Sequence, residues 1–369
     1  MASRVERGPR GARVSGRQRV ALSAVVSRVP ICQSGTALKV AYQSDTAQGL
    51  QIVDLRQLSA LDLDPLLLDE TAEWARELDW NFSKSADLVR KLSGERRLGG
   101  LVLLDRGEVA GYGYIGLEDH IGAIGDVYVR PAWRRGNAEA ALLRALFDAL
   151  IGISAVRRIE SQLMLVEAAS AKALQRERPV QLYERLLMTR EANAPLSPGR
   201  ASTAARFRME PWSDRDYDAV ATVVSLAYSG HIDAQINDRY RTLAGASRFL
   251  RDLVQFPGCA AFCSPASYVA FDMTTGLPAG VSLSNFVAGD VAHIAEICVT
   301  PQARGAGLGY ELLRKTAEAL RGAGAKRISL TVTAANEEAV RLYTRCGFRE
   351  LRRFCAFVWE RPTSPAATR

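Results

Sequence analysis

The chain has 369 residues, of which 48% are hydrophobic and 24% are charged, an ordinary composition that suggests two globular domains with cores of their own. No apolar run approaches the roughly eighteen residues of a membrane span, which argues against a membrane protein. The formal net charge is +8, but residues 1–50 carry +6 of it, from eight basic and two acidic residues, so the remainder is close to neutral and a basic nucleic-acid groove is not indicated.

The N-terminal segment, residues 1–49, is rich in arginine and poor in acids, which predicts a basic tail without fixed structure. Its apolar stretch at 21–26 is too short for a secretory signal. Two interpretations stay open, an organellar transit peptide and a solvated extension from a start site assigned too early, and we favour the extension. We expect a cytoplasmic protein.

The six cysteines do not form a metal-binding pattern. Cys259 and Cys263 make one pair without a second, and the chain has only three histidines with which to complete a site. We therefore expect no metal ion, and we expect reduced thiols.

Strands and helices alternate through the first half of the chain, residues 50–190. The turn at 105–108 joins two of the strands into a hairpin. Strands are predicted at 50–55, 98–104, 109–115, 124–129 and near 159–166, and helices at 66–80, 86–92, 139–150 and around Leu182 and Tyr183.

A second half follows a linker. Residues 191–205 are rich in alanine, proline and serine, a composition typical of linkers. Residues 206–360 then repeat the order of the first half, and 361–369 form a C-terminal tail. Strands are predicted at 207–209, 266–272, 279–286, 291–299 and 328–333, and helices at 214–228, 237–254, 308–321 and before residue 348.

A glycine-rich turn at 304–309 leads from a predicted strand into a predicted helix. Helix N-termini present free N–H groups and a partial positive charge, and so bind phosphates. Three glycines in six residues cost helix propensity but let the backbone approach an anion closely. The turn is not a Walker loop, because Gly309 is followed by Tyr310 and Glu311, and Tyr310 also breaks the dinucleotide-binding fingerprint.

Together with its surroundings, this turn resembles the acyl-CoA-binding half of the GNAT superfamily of N-acetyltransferases. The resemblance covers residues 294–348, and the turn fits the family pattern Arg/Gln-x-x-Gly-x-Gly/Ala. The other matching features, in chain order, are a strand, Pro301, a helix, a second strand, Asn336, Leu342-Tyr343 and Gly347-Phe348.

The first half resembles a second copy of the same unit. The resemblance therefore implies an α/β fold with two tandem GNAT-like domains, each a mixed, largely antiparallel sheet flanked by helices. The matching positions are 129–134 with 299–304, Asp126 with Glu296, and 180–183 with 340–343.

The two copies differ at the glycine turn. Asn137 and Glu139 stand where the second copy has Gly307 and Gly309. A carboxylate repels a pyrophosphate, and without the glycines the backbone stays farther from it. We expect the first copy to be degenerate, with a structural role.

The resemblance implies that the second half transfers an acetyl group from acetyl-CoA to a primary amine, by direct attack in a ternary complex. Backbone groups at the end of the strand would bind the pantetheine, with the N–H of Val299 stabilising the oxyanion. The glycine turn would bind the pyrophosphate, and Asn336 would cap the next helix and contact cofactor amides. The implied cofactor-binding residues are Ile297, Cys298, Val299, Arg304, Gly305, Ala306, Gly307, Leu308, Gly309 and Asn336.

The same resemblance implies two catalytic residues. Tyr343 is the implied general acid, because family members often place a tyrosine beside the CoA sulfur; a core aromatic residue is the alternative. Glu296 is the implied base, acting directly or through water, with a surface residue or a buried ion pair as alternatives. Thr331 stands where some family members carry a glutamate, so that candidate base is missing.

The polar segment at 228–240 is the candidate acceptor site. Its side chains Tyr228, His231, Asp233 and Asn237 are suited to binding or deprotonating an amine of a small molecule or a protein, and a solvated loop with a helix-capping residue is the alternative. Two rival functions stay open: a CoA-binding sensor or scaffold without turnover, and nucleic-acid association through the basic tail.

Overall fold

The computed structural model describes residues 49–134, 137–199, 201–255 and 260–362. The predicted N-terminal tail up to residue 48, Cys259 and residues 363–369 lie outside the described residues. Across the described parts, the helices fall short of the length and hydropathy that crossing a membrane requires. In the same parts, no group of three or more His, Cys, Asp or Glu residues is arranged to hold a metal ion.

The first half alternates strands and helices as its sequence predicts. Its elements are β1 (Leu50–Asp54), α1 (Ala60–Leu78), α2 (Ser83–Gly94), β2 (Gly100–Asp105), β3 (Glu108–Glu118), β4 (Ile121–Val129), α3 (Pro131–Arg134), α4 (Ala138–Ile151), β5 (Arg158–Leu163), α5 (Ala168–Glu177) and β6 (Gln181–Glu191). The hairpin between β2 and β3 turns at Arg106 and Gly107, which both have positive φ, 49° and 87°, as two-residue hairpin turns require. A capping box between Ser59 and Asp62 starts α1.

The second half repeats this order after a short linker helix. Its elements are α6 (Ala201–Arg206), β7 (Phe207–Pro211), α7 (Tyr217–Tyr228), α8 (Asp233–Ile236), α9 (Leu243–Gln255), β8 (Ala261–Phe262), β9 (Tyr268–Asp272), β10 (Pro278–Ala288), β11 (Val291–Val299), α10 (Leu308–Gly322), β12 (Arg327–Thr333), α11 (Glu337–Arg345) and β13 (Arg349–Glu360). Asn336 caps α11, as predicted, by accepting the N–H of Ala339 at 3.3 Å.

One predicted helix is wrong. Leu182 and Tyr183 lie in strand β6, and the helix of that region is α5, which ends at Glu177. The likeness of 180–183 to 340–343 therefore does not mark equivalent positions. Partners remote in sequence hold this segment extended, because β12 pairs along one of its edges and β13 along the other.

The described strands form one continuous sheet, in the order β1-β2-β3-β4-β5-β13-β6-β12-β11-β10-β9-β7, with β8 paired to β10. The last strands of the two halves have changed places, since β6 lies between β12 and β13, and β13 pairs with β5. Each half thus supplies a strand to the sheet of the other. The domain limits 50–190 and 206–360 stay a prediction, and a cut at residue 190 would divide a shared sheet.

Helices cover both faces of the sheet. In the first half α1 and α2 pack on one face, around Trp74, while α4 packs on the other, around Leu146. In the second half α7 and α9 cover one face, and α10 and α11 the opposite one. Only the pairs β4–β5 and β11–β12 are parallel among the pairings of these strands. The predicted α/β fold, with mixed and largely antiparallel sheets flanked by helices, is confirmed.

Candidate active site

A gap opens in the sheet between the parallel strands β11 and β12. Their pairing begins at Val291 and ends at Ile294, whereas β11 stays paired with β10 as far as Val299. A β-bulge at Ala295, marked by a register shift against β10, lies where the strands separate, and bulges bend a strand in this way. Along residues 295–299, the edge of β11 that faces β12 is therefore open to a ligand.

A cavity of about 980 Å³ occupies this gap. Around it lie both predicted catalytic residues, all four predicted acceptor residues, and every predicted cofactor-binding residue except Ala306. The carbonyl of Ala306 instead accepts a hydrogen bond from the Thr203 hydroxyl at 2.7 Å. Two lining residues that sequence reasoning missed, Gln162 on β5 and Arg185 on β6, belong to the first half. The cavity therefore lies where the two halves meet.

The glycine turn meets the cavity with its backbone. Gly305 and Gly307 have φ of 73° and 82°, in the region that glycine favours, and Gly307 immediately precedes α10. A Cβ on Gly309 would meet nothing nearer than a Leu342 methyl at 3.9 Å, so the protein's own packing does not require glycine there. The N-terminus of α10 thus offers N–H groups and the positive end of its dipole to an anion.

Two side chains fasten this turn to the protein. Arg304 directs its guanidinium to the carbonyl of Ala227 on α7, at 2.8 Å, and Leu308 is buried, 1% exposed, beneath the first turn of α10. These two side chains therefore fix the turn against the protein, while its glycines face the cavity. What the glycines present to the cavity is their backbone N–H groups.

Glu296 is a buried carboxyl at the cavity wall, 3% exposed. It accepts hydrogen bonds from the hydroxyls of Tyr228, at 2.7 Å, and Tyr240, at 3.0 Å, whose rings stack with centroids 4.0 Å apart. Burial raises the pKa of Glu296 to about 7, and the two tyrosine hydrogen bonds oppose that rise. The carboxyl is thus neither a surface group nor half of an ion pair, and it exchanges its proton near neutral pH.

Tyr343 also lines the cavity, and its ring packs against Phe348 in the core of the second half. Burial raises the pKa of its hydroxyl well above the usual range, and the charges of Glu296 and Asp233 raise it further. The phenol therefore stays protonated at neutral pH and can serve as a hydrogen-bond donor. Tyr343 is thus both a core aromatic residue and part of the cavity wall, and its role as general acid stays a prediction.

The end of β11 adds a thiol beside the carboxyl. Ile297, Cys298 and Val299 line the cavity. Burial raises the pKa of Cys298 well above its ordinary value, and the neighbouring Glu296 carboxyl adds to the rise. Cys298 is therefore held as a neutral thiol, which is a poor nucleophile.

Two of the predicted acceptor residues, His231 and Asp233, form a hydrogen-bonded group with Asn336. The Nδ2 of Asn336 lies 3.2 Å from the Nε2 of His231, and the backbone N–H of Asp233 donates to the Nδ1 of His231. Asp233 forms an ion pair with Arg185, at 2.9 Å, and so is not a free anion. Asn237 fits the capping alternative, since its Oδ1 accepts the N–H of Arg239 at 3.0 Å.

The first half keeps the bulge but carries a carboxylate at the start of the corresponding helix, α4. The register of β3 with β4 shifts immediately before Asp126, as that of β10 with β11 does before Glu296. Glu139, at the place of Gly309, accepts the N–H of Glu167 at 3.0 Å, which ties the start of α4 to the start of α5. Asp126 is buried beside Glu70, and burial raises the pKa of both carboxyls.

Comparison with known proteins agrees with this geometry. A family model described as the acetyltransferase (GNAT) family matches residues 60–178 and 239–348, more than half of the chain. An uncharacterized N-acetyltransferase of Methanocaldococcus jannaschii is 34% identical over 100 residues, which cover 27% of this chain and 41% of that relative.

Two solved structures share the fold over most of the chain. A GCN5-related N-acetyltransferase from Sphaerobacter thermophilus has a TM-score of 0.63 and 15% identity, covering 87% of this chain and 98% of that one. A tandem GNAT protein from the clavulanic acid biosynthesis pathway has a TM-score of 0.52 and 15% identity, covering 85% and 100%. The tandem arrangement therefore has a solved counterpart.

Proposed function

The chain belongs to the GNAT acetyltransferase family, and we propose that its second half transfers an acetyl group from acetyl-CoA to a primary amine. The observation that carries this proposal is the open gap between β11 and β12, with a carboxyl of raised pKa and a protonated phenol on its walls. The acceptor, the direct attack in a ternary complex and the cytoplasmic location are predictions.

Each group at the cavity has one role in the proposed reaction. The edge of β11 binds the pantetheine, and the N–H groups of the glycine turn bind the pyrophosphate. The N–H of Val299 stabilises the oxyanion that forms on the acetyl carbonyl. Glu296, directly or through water, accepts the proton that the amine loses. Tyr343 donates its proton to the departing thiolate, so that the products are the amide and CoA.

The raised pKa of Glu296 suits this task. A base works best when its pKa is close to the working pH, because it is then both ionised and strong enough to take a proton. With a pKa of about 7, a large fraction of Glu296 is ionised at neutral pH. The acid limb of the activity profile is therefore expected near pH 7.

The first half is proposed to be catalytically silent. Glu139 places a carboxylate where the second half has Gly309, and it already binds the N–H of Glu167 at the start of α5. An incoming pyrophosphate would meet the like charge of this carboxylate at the start of α4. Acetyl transfer is therefore assigned to the second half.

The test is thiol release and product mass spectrometry with the full-length protein, labelled acetyl-CoA and a panel of amines, including those of a cell extract. Tyr343→Phe should lower kcat by about a hundredfold, as expected for loss of a general acid, with unchanged affinity for acetyl-CoA. Tyr268→Phe, the same change on β9, is the matched control. Tight CoA binding without turnover on any amine would favour the sensor hypothesis, and an unchanged rate for Tyr343→Phe would remove Tyr343 from the mechanism.

A further inference from the structure

The segment between α7 and α9, residues 229–242, forms the acceptor side of the cavity, and we call it the acceptor loop. It carries Tyr240, which contacts Glu296, and it places His231 and Asp233 at the cavity wall. Charged side chains of the first half hold this loop in three places. Arg185 pairs with Asp233, and two further anchors hold the part of the loop that carries Tyr240.

The first anchor is Glu160 on β5. Its carboxylate accepts the backbone N–H of Asp238 at 2.7 Å and pairs with Arg158 at 2.6 Å. Arg158 in turn donates to the carbonyl of Gln235, in the same loop. Both charged side chains are almost fully buried, 2% and 4% exposed. Because buried charges are costly when a partner moves away, these contacts keep the loop in one position.

The second anchor is Arg239 within the loop. Its side chain is 7% exposed. The guanidinium nitrogens lie 2.6 Å from a carboxylate oxygen of Glu118, at the end of β3, and 2.6 Å from one of Asp252, on α9. One arm of this bridge therefore reaches the first half, while the other remains within the second. Removing Glu118 removes this one contact with the first half and leaves the guanidinium paired with Asp252.

The anchors are close to the proposed base. Asp238 begins the short 3-10 turn Asp238–Arg241, and Tyr240 in that turn donates its hydroxyl hydrogen bond to Glu296. The titratable groups that face Glu296 are Tyr228 of α7, Tyr240 of the turn, Asp233 of α8, Cys298 of β11 and Tyr343 of α11.

We infer that Glu118 and Glu160 are positioning residues, which hold Tyr240 against Glu296 from the first half and thereby set the pH at which the base works. The inference rests on the proposed function, in which Glu296 takes the proton. Hydrogen bonds to a carboxylate favour its ionised form. If Tyr240 shifts, Glu296 loses one of the hydrogen bonds that oppose the effect of burial. The pKa of Glu296 then rises.

The experiment compares pH profiles of kcat/KM for the full-length protein and its variants, with acetyl-CoA and an amine found in the product screen. Glu118→Ala and Glu160→Ala should each move the acid limb upward by about 0.5–1 pH unit, with unchanged affinity for acetyl-CoA. Tyr240→Phe removes the hydroxyl itself and should shift the limb at least as far. Glu118→Gln, which keeps an acceptor oxygen, should restore part of the wild-type profile.

The control is Asp148→Ala, which breaks a first-half ion pair with Arg178, at 2.8 Å, without touching the acceptor loop; its profile should match the wild type. Folded Glu118 and Glu160 variants with the wild-type acid limb would overturn the inference. If an alanine variant does not fold, the milder Glu118→Gln and Glu160→Gln carry the comparison, with a smaller upward shift of the acid limb expected. An inactive wild type, or a Glu296→Gln variant with full activity, would instead refute the proposed function.

Discussion

Replacing Glu296 with glutamine is expected to lower activity and to stabilise the folded protein above neutral pH. The carboxyl has a pKa of about 7 in the folded chain, against 4.5 for an unperturbed glutamate. Between these values the unfolded chain releases the proton and the folded chain keeps it. The free energy of unfolding therefore falls as the pH rises through this window.

The size of the effect follows from that difference. About 2.5 pKa units, at about 1.36 kcal/mol each, give a penalty of about 3 kcal/mol at pH 8 and about 1 kcal/mol at pH 5. Glutamine carries no such penalty; its oxygen accepts the hydrogen bond of one tyrosine, and its NH2 group donates to the hydroxyl oxygen of the other. The variant should exceed the wild type in stability by up to about 3 kcal/mol at pH 8, roughly 4 °C in Tm for a chain of this length.

The assay is urea unfolding without acetyl-CoA, followed by tryptophan fluorescence at pH 5 and pH 8. The quantity to compare is the difference between variant and wild type at each pH, so that other titrating groups cancel. Glu191→Gln, an exposed glutamate at the end of β6, is the control and should show no pH-dependent gain. An equal difference at both pH values would refute a raised pKa for Glu296, and with it the argument for this residue as the base.

Three further predictions concern the cofactor and the first half. Gly309→Ala should stabilise α10 by up to about 1 kcal/mol yet weaken acetyl-CoA binding about tenfold in calorimetry. Gly322→Ala, at the far end of the helix, is the control and should leave the affinity unchanged. Equal affinities of the two variants for acetyl-CoA would show that Gly309 does not serve the ligand. Calorimetric titration should give one acetyl-CoA per chain, and a stoichiometry of two would mean that the first half binds as well. Asp126→Asn should keep kcat while Glu296→Gln loses it, and a comparable loss in both would contradict a silent first half.

The structural features that the sequence predicts correctly are local ones. The hairpin at β2–β3, the glycine turn before α10 and the Asn336 cap each depend on a few neighbouring residues, and each forms as expected. The segment 181–191 depends on distant partners, because β12 and β13 complete the ladder on its two sides. Propensity read from one short stretch carries no information about such partners, so the helix predicted around Leu182 and Tyr183 was wrong.

Two contacts on the acceptor side of the cavity were beyond sequence reasoning for a similar reason. Tyr240 lies within the predicted acceptor segment, but only the fold brings it to Glu296, which is 56 residues away. Arg185 could not have been chosen, because it reaches Asp233 only once β6 has inserted beside β12. A strand exchanged between halves leaves no pattern in either half alone.

The exchange also explains why a silent copy would be kept. Both halves have the bulge that separates parallel strands and a buried acid just after it, Asp126 or Glu296. In the first half Glu139 ties the start of α4 to the start of α5, whereas in the second half Gly309 places no side chain at the matching position. Loss of cofactor binding in one half leaves β6 in the shared sheet and keeps Glu118 and Glu160 against the acceptor loop. A half that is proposed to lack a donor site can thus still shape the proposed acceptor site of the other.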